Sequence, residues 1–319
     1  MTAPPVQIPR VAVVGAGEIG RGWAALAAAA GWQVGVFDID SQARADALEA
    51  IAGRARALVQ LRQLPAAVVA HGLKDLELGR SLLQVVGPAD WIIEAVTEDL
   101  GTKQRVIEAI DDVAKQDAVI SSCSSGLAPA DIAARAIRRY RVLIAHPLNP
   151  PEIIPLVEVI RGPETANSSF ETLRGWLRAL GRVPVTLKKQ VRGNVATRIA
   201  AAVWREAIHL VLEGVIDVED LDAVISLGPA LGWTAAGPHL TYHLAAGDQG
   251  VRVFLQHLLA TFEQVWGDLA HWDRLTPEQQ RALESSVERA YEGRLEEMRV
   301  RRDRRIAAIL RAIEDVTPS

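Results

Sequence analysis

The chain has 319 residues, 49% apolar and 23% charged, which excludes a disordered or fibrous protein and calls for two cores rather than one. Thirty-five basic residues against 39 acidic ones leave a formal charge of −4, the wrong sign for a nucleic-acid partner. The single cysteine, Cys123, rules out an internal disulfide and fits a reducing, cytoplasmic setting.

Residues 1–10, MTAPPVQIPR, carry no apolar signal core, and the longest apolar stretch, Gly22–Trp32, is about half of what a bilayer span needs. Neither a targeting segment nor a membrane partner is expected. RVAVVGAG then predicts a strand entering a glycine turn, EIGRGWAALAAAAG a helix closed by Gly31, and WQVGVFDID a second strand. Strand, helix and strand within about thirty residues make a parallel βαβ unit. Further β-rich runs at 89–96, 117–125 and 140–147, separated by helical segments such as 101–115, predict an α/β fold with a Rossmann-type doubly wound parallel sheet. IPLVEVI and VPVTLKK add strands on either side of a helix over about 168–180. From about Gln190 the β signal stops and amphipathic helical periods run on, so an α/β domain over 1–189 is followed by an all-helical domain over 190–319. The arginine cluster Arg299–Arg305 is interleaved with acids and reads as a solvated or dimer-facing helix surface.

The turn GAGEIG holds Gly15, Gly17 and Gly20, with Glu18 and Ile19 between them, directly after a strand and at the start of a helix. That context suits a dinucleotide: Gly15 for the tight turn, Gly17 for close approach of the pyrophosphate, Gly20 for helix and strand packing. The helix N-terminus offers free N–H groups to the phosphates. Asp38 ends the second strand eighteen residues after Gly20, where a carboxylate accepts hydrogen bonds from ribose hydroxyls and repels a 2′-phosphate. The expected cofactor is therefore NAD.

His146 and Glu158 flank PLNPPEIIPLV, whose four prolines cannot continue a helix or a sheet. A stiff return would bring the carboxylate beside the ring, where it fixes the tautomer and stabilises the imidazolium. The other ring nitrogen is then free to take a proton from a substrate hydroxyl as hydride leaves the carbon.

The stretches VAVVGAGEIGRGWA, DWIIEAVTEDLGTKQ, SSCSSGL, HPLNPPEIIPLVEV and ATRIAAAVWREA, in that order, resemble the L-3-hydroxyacyl-CoA dehydrogenase family over nearly the whole chain. The resemblance implies an N-terminal NAD-binding Rossmann domain, a helical C-terminal domain that forms a homodimer, and a catalytic pair at His146 and Glu158. It implies a hydrogen bond from Ser125 to the reacting oxygen or the nicotinamide region, and places Asn149 in the active-site wall. Glu98 and Lys103 match positions near the cofactor. Ser125 follows a predicted strand and so belongs to the carboxyl edge of the sheet, although Ser121, Ser122 and Ser124 offer competing hydroxyls.

Two departures are informative. Where the hydroxyacyl-CoA enzymes open their second domain with an Asn-Arg pair, this chain has Thr197 before Arg198. HPLNPP with IPLVEV is more similar to the branch containing L-carnitine dehydrogenase and the lambda-crystallin type L-gulonate 3-dehydrogenase, which oxidise small free hydroxy acids. Within that branch GWTAAGPHLTYHLAAGDQG is most similar to the carnitine enzymes. A trimethylammonium group is best held by aromatic faces, and Trp233 and Tyr242 lie in this segment; packing within the helical domain is their other use. His239 and His243 share a helix face, but no acid or cysteine completes a zinc set, so no metal is expected. Arg54, Arg56 and Arg62 offer either a solvated helix face or a basic channel for the nucleotide of CoA.

The expectation is thus NAD-dependent oxidation of the 3-hydroxyl of a small hydroxy acid to the keto acid. L-carnitine or a related quaternary amine comes first, then L-gulonate, then a 3-hydroxyacyl-CoA. A non-catalytic NAD-binding structural or sensory protein is the rival from another class.

Overall fold

The computed structural model of the chain describes Gln7 to Val316, the side chains of residues 314–316 excepted. Residues 1–6 of the opening stretch MTAPPVQIPR, where no targeting segment was expected, lie outside the described residues. Eight strands form one sheet: β1 (Val11–Val14), β2 (Val34–Phe37), β3 (Leu76–Leu78), β4 (Trp91–Glu94), β5 (Val119–Ser122), β6 (Val142–Pro147), β7 (Leu156–Arg161) and β8 (Val183–Thr186). Their order is 3-2-1-4-5-6-7-8. β1 to β6 are mutually parallel; β7 runs antiparallel to β6, and β8 parallel to β7. The order reverses between β1 and β4, the switch point above which α/β sheets bind ligands.

Helices α1 (Glu18–Ala29), α2 (Ser41–Leu61), α3 (Ala66–Lys74), α4 (Leu82–Val86), α5 (Leu100–Val113), α6 (Pro129–Ile132) and α7 (Asn167–Ala179) accompany the sheet. Burial on both faces is why the central strands are continuous apolar runs: Trp91 and Ile93 of β4 enter one core and Ile92 the other. Trp91 is the hub of the first core, with ring centroids 5.6 Å from Trp23, 6.5 Å from Trp32 and 6.0 Å from Trp176. Small residues let α1 lie close to its neighbours. A Cβ on Gly22 would stand 2.5 Å from Oε2 of Glu152 and 2.6 Å from Cγ of Pro151, so glycine there admits the proline-rich return against the helix.

The remaining helices are α8 (Asn194–Leu212), α9 (Val218–Leu227), α10 (Pro229–Leu244), α11 (Val251–Asp268), α12 (Pro277–Tyr291) and α13 (Leu295–Val316). Contacts group the chain up to Val195 with Asp303–Ile309, and group Ala196–Arg302 with the stretch from Leu310. The middle of α13 thus belongs to the first body, where Ile306 packs against the tryptophan core and Ala307 is buried. α10 is broken at Gly237, whose φ of 71° precedes Pro238. α12 opens on a capping box between Thr276 and Gln279.

Candidate active site

The turn after β1 has the conformation its glycines suggest. Gly15 adopts φ +106°, and a Cβ there would meet the Ala95 carbonyl oxygen at 2.5 Å. A Cβ on Gly20 would lie 1.9 Å from the Gly15 carbonyl, whereas one on Gly17 would meet nothing within 4 Å. The backbone at Gly17 is therefore open to close approach, and Glu18 and Ile19 begin α1 beside it. Asp38 follows β2, its Oδ2 accepting from the Ala16 N–H at 2.7 Å and its Oδ1 from the Asp40 N–H at 3.0 Å. Open backbone at the helix start and a carboxylate past β2 fit a dinucleotide. Arg44, which the sequence did not single out, donates to the Asp38 carbonyl and sits 5.8 Å over the Phe37 ring. Its only sequence signal is a cation six residues past the acid.

Across the switch point, β4 and β5 end in a buried polar cluster. Glu94, fully buried, accepts from Lys103 Nζ at 2.8 Å, from the Val96 N–H at 2.9 Å and from Ser122 Oγ at 2.5 Å. Lys103 also donates to the Val96 carbonyl at 3.2 Å and lies 3.4 Å from Glu98. Glu98 Oε1 accepts from Ser124 Oγ at 2.5 Å and from the N–H groups of Ser125 and Gly126 at 3.0 and 3.1 Å. Lys103 and Glu98 therefore act on the serine loop through fixed bonds, and the ammonium of Lys103 is itself buried. Ser121 accepts from the Trp91 indole N–H at 2.8 Å. Of the four serines only Ser125 is exposed; the other three are buried in internal hydrogen bonds. Glu94 is the residue that motif reading passed over, and its signal was an acid inside the apolar run WIIEAV. Burial pushes the Cys123 thiol up to about 12, which keeps it protonated and poorly nucleophilic.

His146 and Glu158 are direct partners in the antiparallel register of β6 and β7. Nδ1 of His146 lies 2.9 Å from Oε2 of Glu158, and both side chains are buried. Oε1 of Glu158 accepts from the Val195 N–H at 2.8 Å. Nε2 of His146 has no hydrogen-bond partner among the described residues. The pair stands at the carboxyl end of β6, and Asn149, exposed, follows in the return that turns at a cis Asn149–Pro150 bond.

The proposed contributions of the helical body are dispersed. Thr197 is exposed on α8. Tyr242 packs 5.1 Å from Phe254 and 5.6 Å from Phe262, and Phe262 lies 6.0 Å from Trp266. Trp233 shares no ring contact with this cluster among the described residues, and the kink at Gly237 lies between it and Tyr242. His243 accepts from the Val251 N–H at 3.1 Å, and no group of three or more His, Cys, Asp or Glu among the described residues is placed to hold a metal. The three arginines of α2 and its end also divide: Arg54 pairs with Glu18 and Glu152, Arg62 donates to the Ile153 carbonyl at 3.4 Å, and Arg56 is exposed beside Glu49.

Residues 10–191 match the family described as 3-hydroxyacyl-CoA dehydrogenase, NAD binding domain, and residues 193–286 its C-terminal domain. L-carnitine dehydrogenase of Burkholderia mallei is 35% identical over 97% of this chain and 95% of its own. That of Bacillus cereus is 32% identical over 98% and 94%. Among solved structures, an NAD+-dependent dismutase that is a 5-formyl-3-hydroxy-2-methylpyridine 4-carboxylic acid 5-dehydrogenase superposes with a TM-score of 0.81 at 30% identity, over 97% of this chain and 99% of that one. A (S)-3-hydroxybutyryl-CoA dehydrogenase from Ralstonia eutropha superposes with a TM-score of 0.64 at 25% identity, over 89% and 95%.

Proposed function

We propose a reaction that proceeds from one fact: this chain belongs to the 3-hydroxyacyl-CoA dehydrogenase family and is an NAD-dependent oxidoreductase acting on a CH–OH group. The substrate is a small free 3-hydroxy acid, L-carnitine or a related quaternary-ammonium hydroxy acid, and the product its 3-keto acid. The observation that carries the chemistry is the 2.9 Å contact between His146 Nδ1 and Glu158, which leaves Nε2 open.

With Nδ1–H donated to Glu158, the lone pair of His146 sits on Nε2 and accepts the substrate hydroxyl proton. Glu158 stabilises the imidazolium so formed and is itself held by the Val195 N–H. NAD+, when bound along the Gly15–Gly20 turn with its ribose at Asp38, supplies the acceptor for the hydride that leaves C3. Ser125 and Asn149 orient the reacting oxygen, and the Glu98–Lys103 pair fixes the loop that carries Ser125.

The choice among substrates is supported by the carnitine enzymes that match nearly the full length at 32% and 35% identity. The tying of Arg54 and Arg62 to internal partners also removes two cations that a CoA nucleotide would need. The aromatic cluster around Tyr242 has the chemistry that holds a trimethylammonium group. Residues 190–319 serve substrate binding and homodimerisation, with Leu227, Leu244 and Trp266 among their exposed apolar side chains, and light scattering tests the dimer. No described helix is long and apolar enough to cross a membrane. A lone cysteine fits a reducing compartment, and on that ground we place the protein in the cytoplasm.

NADH formation from L-carnitine, L-gulonate and a 3-hydroxyacyl-CoA, followed in the native chain and in His146→Ala, tests the reaction. Turnover of the free acid that His146→Ala abolishes is the expected result. Turnover of the thioester alone overturns the substrate, and full activity in His146→Ala overturns the base.

A further inference from the structure

We infer that Arg54 is a positioning residue for the dinucleotide: held by Glu152 in the return after His146, it cancels the charge of Glu18 inside the phosphate-binding turn. The inference rests on NAD use, not on which hydroxy acid is oxidised.

Glu18 is the first residue of α1, where unpaired backbone N–H groups and the positive end of the helix dipole must receive a pyrophosphate. A carboxylate at that position competes for the same positive potential. The Glu18 side chain is 66% exposed, yet it is held: Nη2 of Arg54, from α2, donates to its Oε2, and Nη1 approaches the Glu18 carbonyl at 3.4 Å. Nη1 also donates to Oε1 of Glu152 at 3.1 Å.

The two ends of this bridge differ. Glu152 is buried and lies six residues after His146 and three after Asn149. Its Oε2 has no hydrogen-bond partner among the described residues and occupies the space a side chain at Gly22 would need. Burial pushes the Glu152 carboxyl up, with Arg54 pulling against it; burial also opposes the charge of Arg54, but its bonds to Glu18 and Glu152 outweigh that and raise it. An exposed ion pair alone contributes little to stability and needs no further role. Here one acid sits in the anion-binding turn and the other is buried in the return after His146, so the guanidinium that neutralises the first is anchored by the second.

The test is the NAD dissociation constant of the full chain, by titration calorimetry at about 50 mM and about 500 mM salt. Arg54→Met is expected to weaken NAD binding about tenfold at low salt, and less at high salt, because the uncovered Glu18 charge is screened. Adding Glu18→Gln to Arg54→Met restores affinity to within about twofold of native. Glu18→Gln alone, an exposed change that leaves the fold intact, binds NAD as tightly as the native chain or more tightly, and Arg54→Lys stays within about threefold of native. Native affinity in Arg54→Met overturns the inference, as does a double variant as weak as Arg54→Met or weakened binding in Glu18→Gln. A native chain that binds no NAD is a separate result: it overturns the cofactor itself and the inference with it.

Discussion

At the amino-terminal edge of the parallel strands Asp111 of α5 meets Arg141 just before β6, and at the carboxyl-terminal edge His146 meets Glu158. Both pairs are buried, the first joining residues 30 apart and the second residues 12 apart across one return. Arg141 spends Nε and Nη2 on Asp111 Oδ1 at 3.0 and 2.6 Å and Nη1 on the Lys115 carbonyl, while Asp111 Oδ2 takes the N–H groups of Ile137 and Arg138 at 2.9 and 3.1 Å. The charges of that pair are closed off by protein. At the other edge Nε2 of His146 has no partner among the described residues, and the side chains of Ser125 and Asn149 are exposed. A buried polar pair is thus ordinary structure when its valences are filled, and points to chemistry when one is left open.

The contrast makes distinct demands on variants. His146→Ala is expected to lower kcat by about 10²–10⁴ while the NAD dissociation constant stays near native, as calorimetry beside steady-state kinetics would show. Arg141→Met should do the reverse, costing about 3–5 kcal/mol of stability in urea unfolding with kcat per folded molecule unchanged, since it strands a buried carboxylate. A large drop in kcat for Arg141→Met would erase the distinction between the edges. Glu158→Gln should lower kcat by about 10–100-fold and add nothing to His146→Ala, because it acts only through the ring. Ser125→Ala, at the exposed hydroxyl, is expected to cost about tenfold in kcat with no change in melting temperature.

The smallest effect sharpens the comparison through pH. Burial works to raise Asp111, but the Arg141 and backbone hydrogen bonds outweigh it and hold the carboxyl below its ordinary 3.8. Its stabilisation is present above that value and is lost as pH falls through the lowered one. Glu152, within the return after His146, is raised above its ordinary 4.5 by burial, so its contribution is present below 4.5 and is lost as pH rises through the raised value. Melting temperatures followed from pH 2 upward should therefore lose their acid slope in Asp111→Asn and their opposite, higher-pH slope in Glu152→Gln.

Much of the carboxyl edge was legible because its backbone and chemistry are local. GAGEIG, Asp38 and the His146–Glu158 spacing each need only a strand end and a turn. β3 was not, since three residues of LEL carry too little periodicity, and α10 was not set apart, since its two prolines and two glycines interrupt the helical period. The choice among four serines depended on partners from other strands: Trp91 and Glu94 from β4, and Glu98 beyond it. Arg54 had looked like a surface or channel cation because its two acids lie 36 and 98 residues away. Tyr242 was an aromatic candidate, but its neighbours Phe254 and Phe262 come from the next helix, beyond the segment that drew notice.

The middle of α13 packs Ile306 onto a core assembled from Val11 to Leu180. On a ribosome that seat stays uncovered until the entire helical unit has been translated. A nascent nucleotide-binding half must wait with a greasy patch in view, which makes it a natural client for a chaperone and a poor choice for expression by itself.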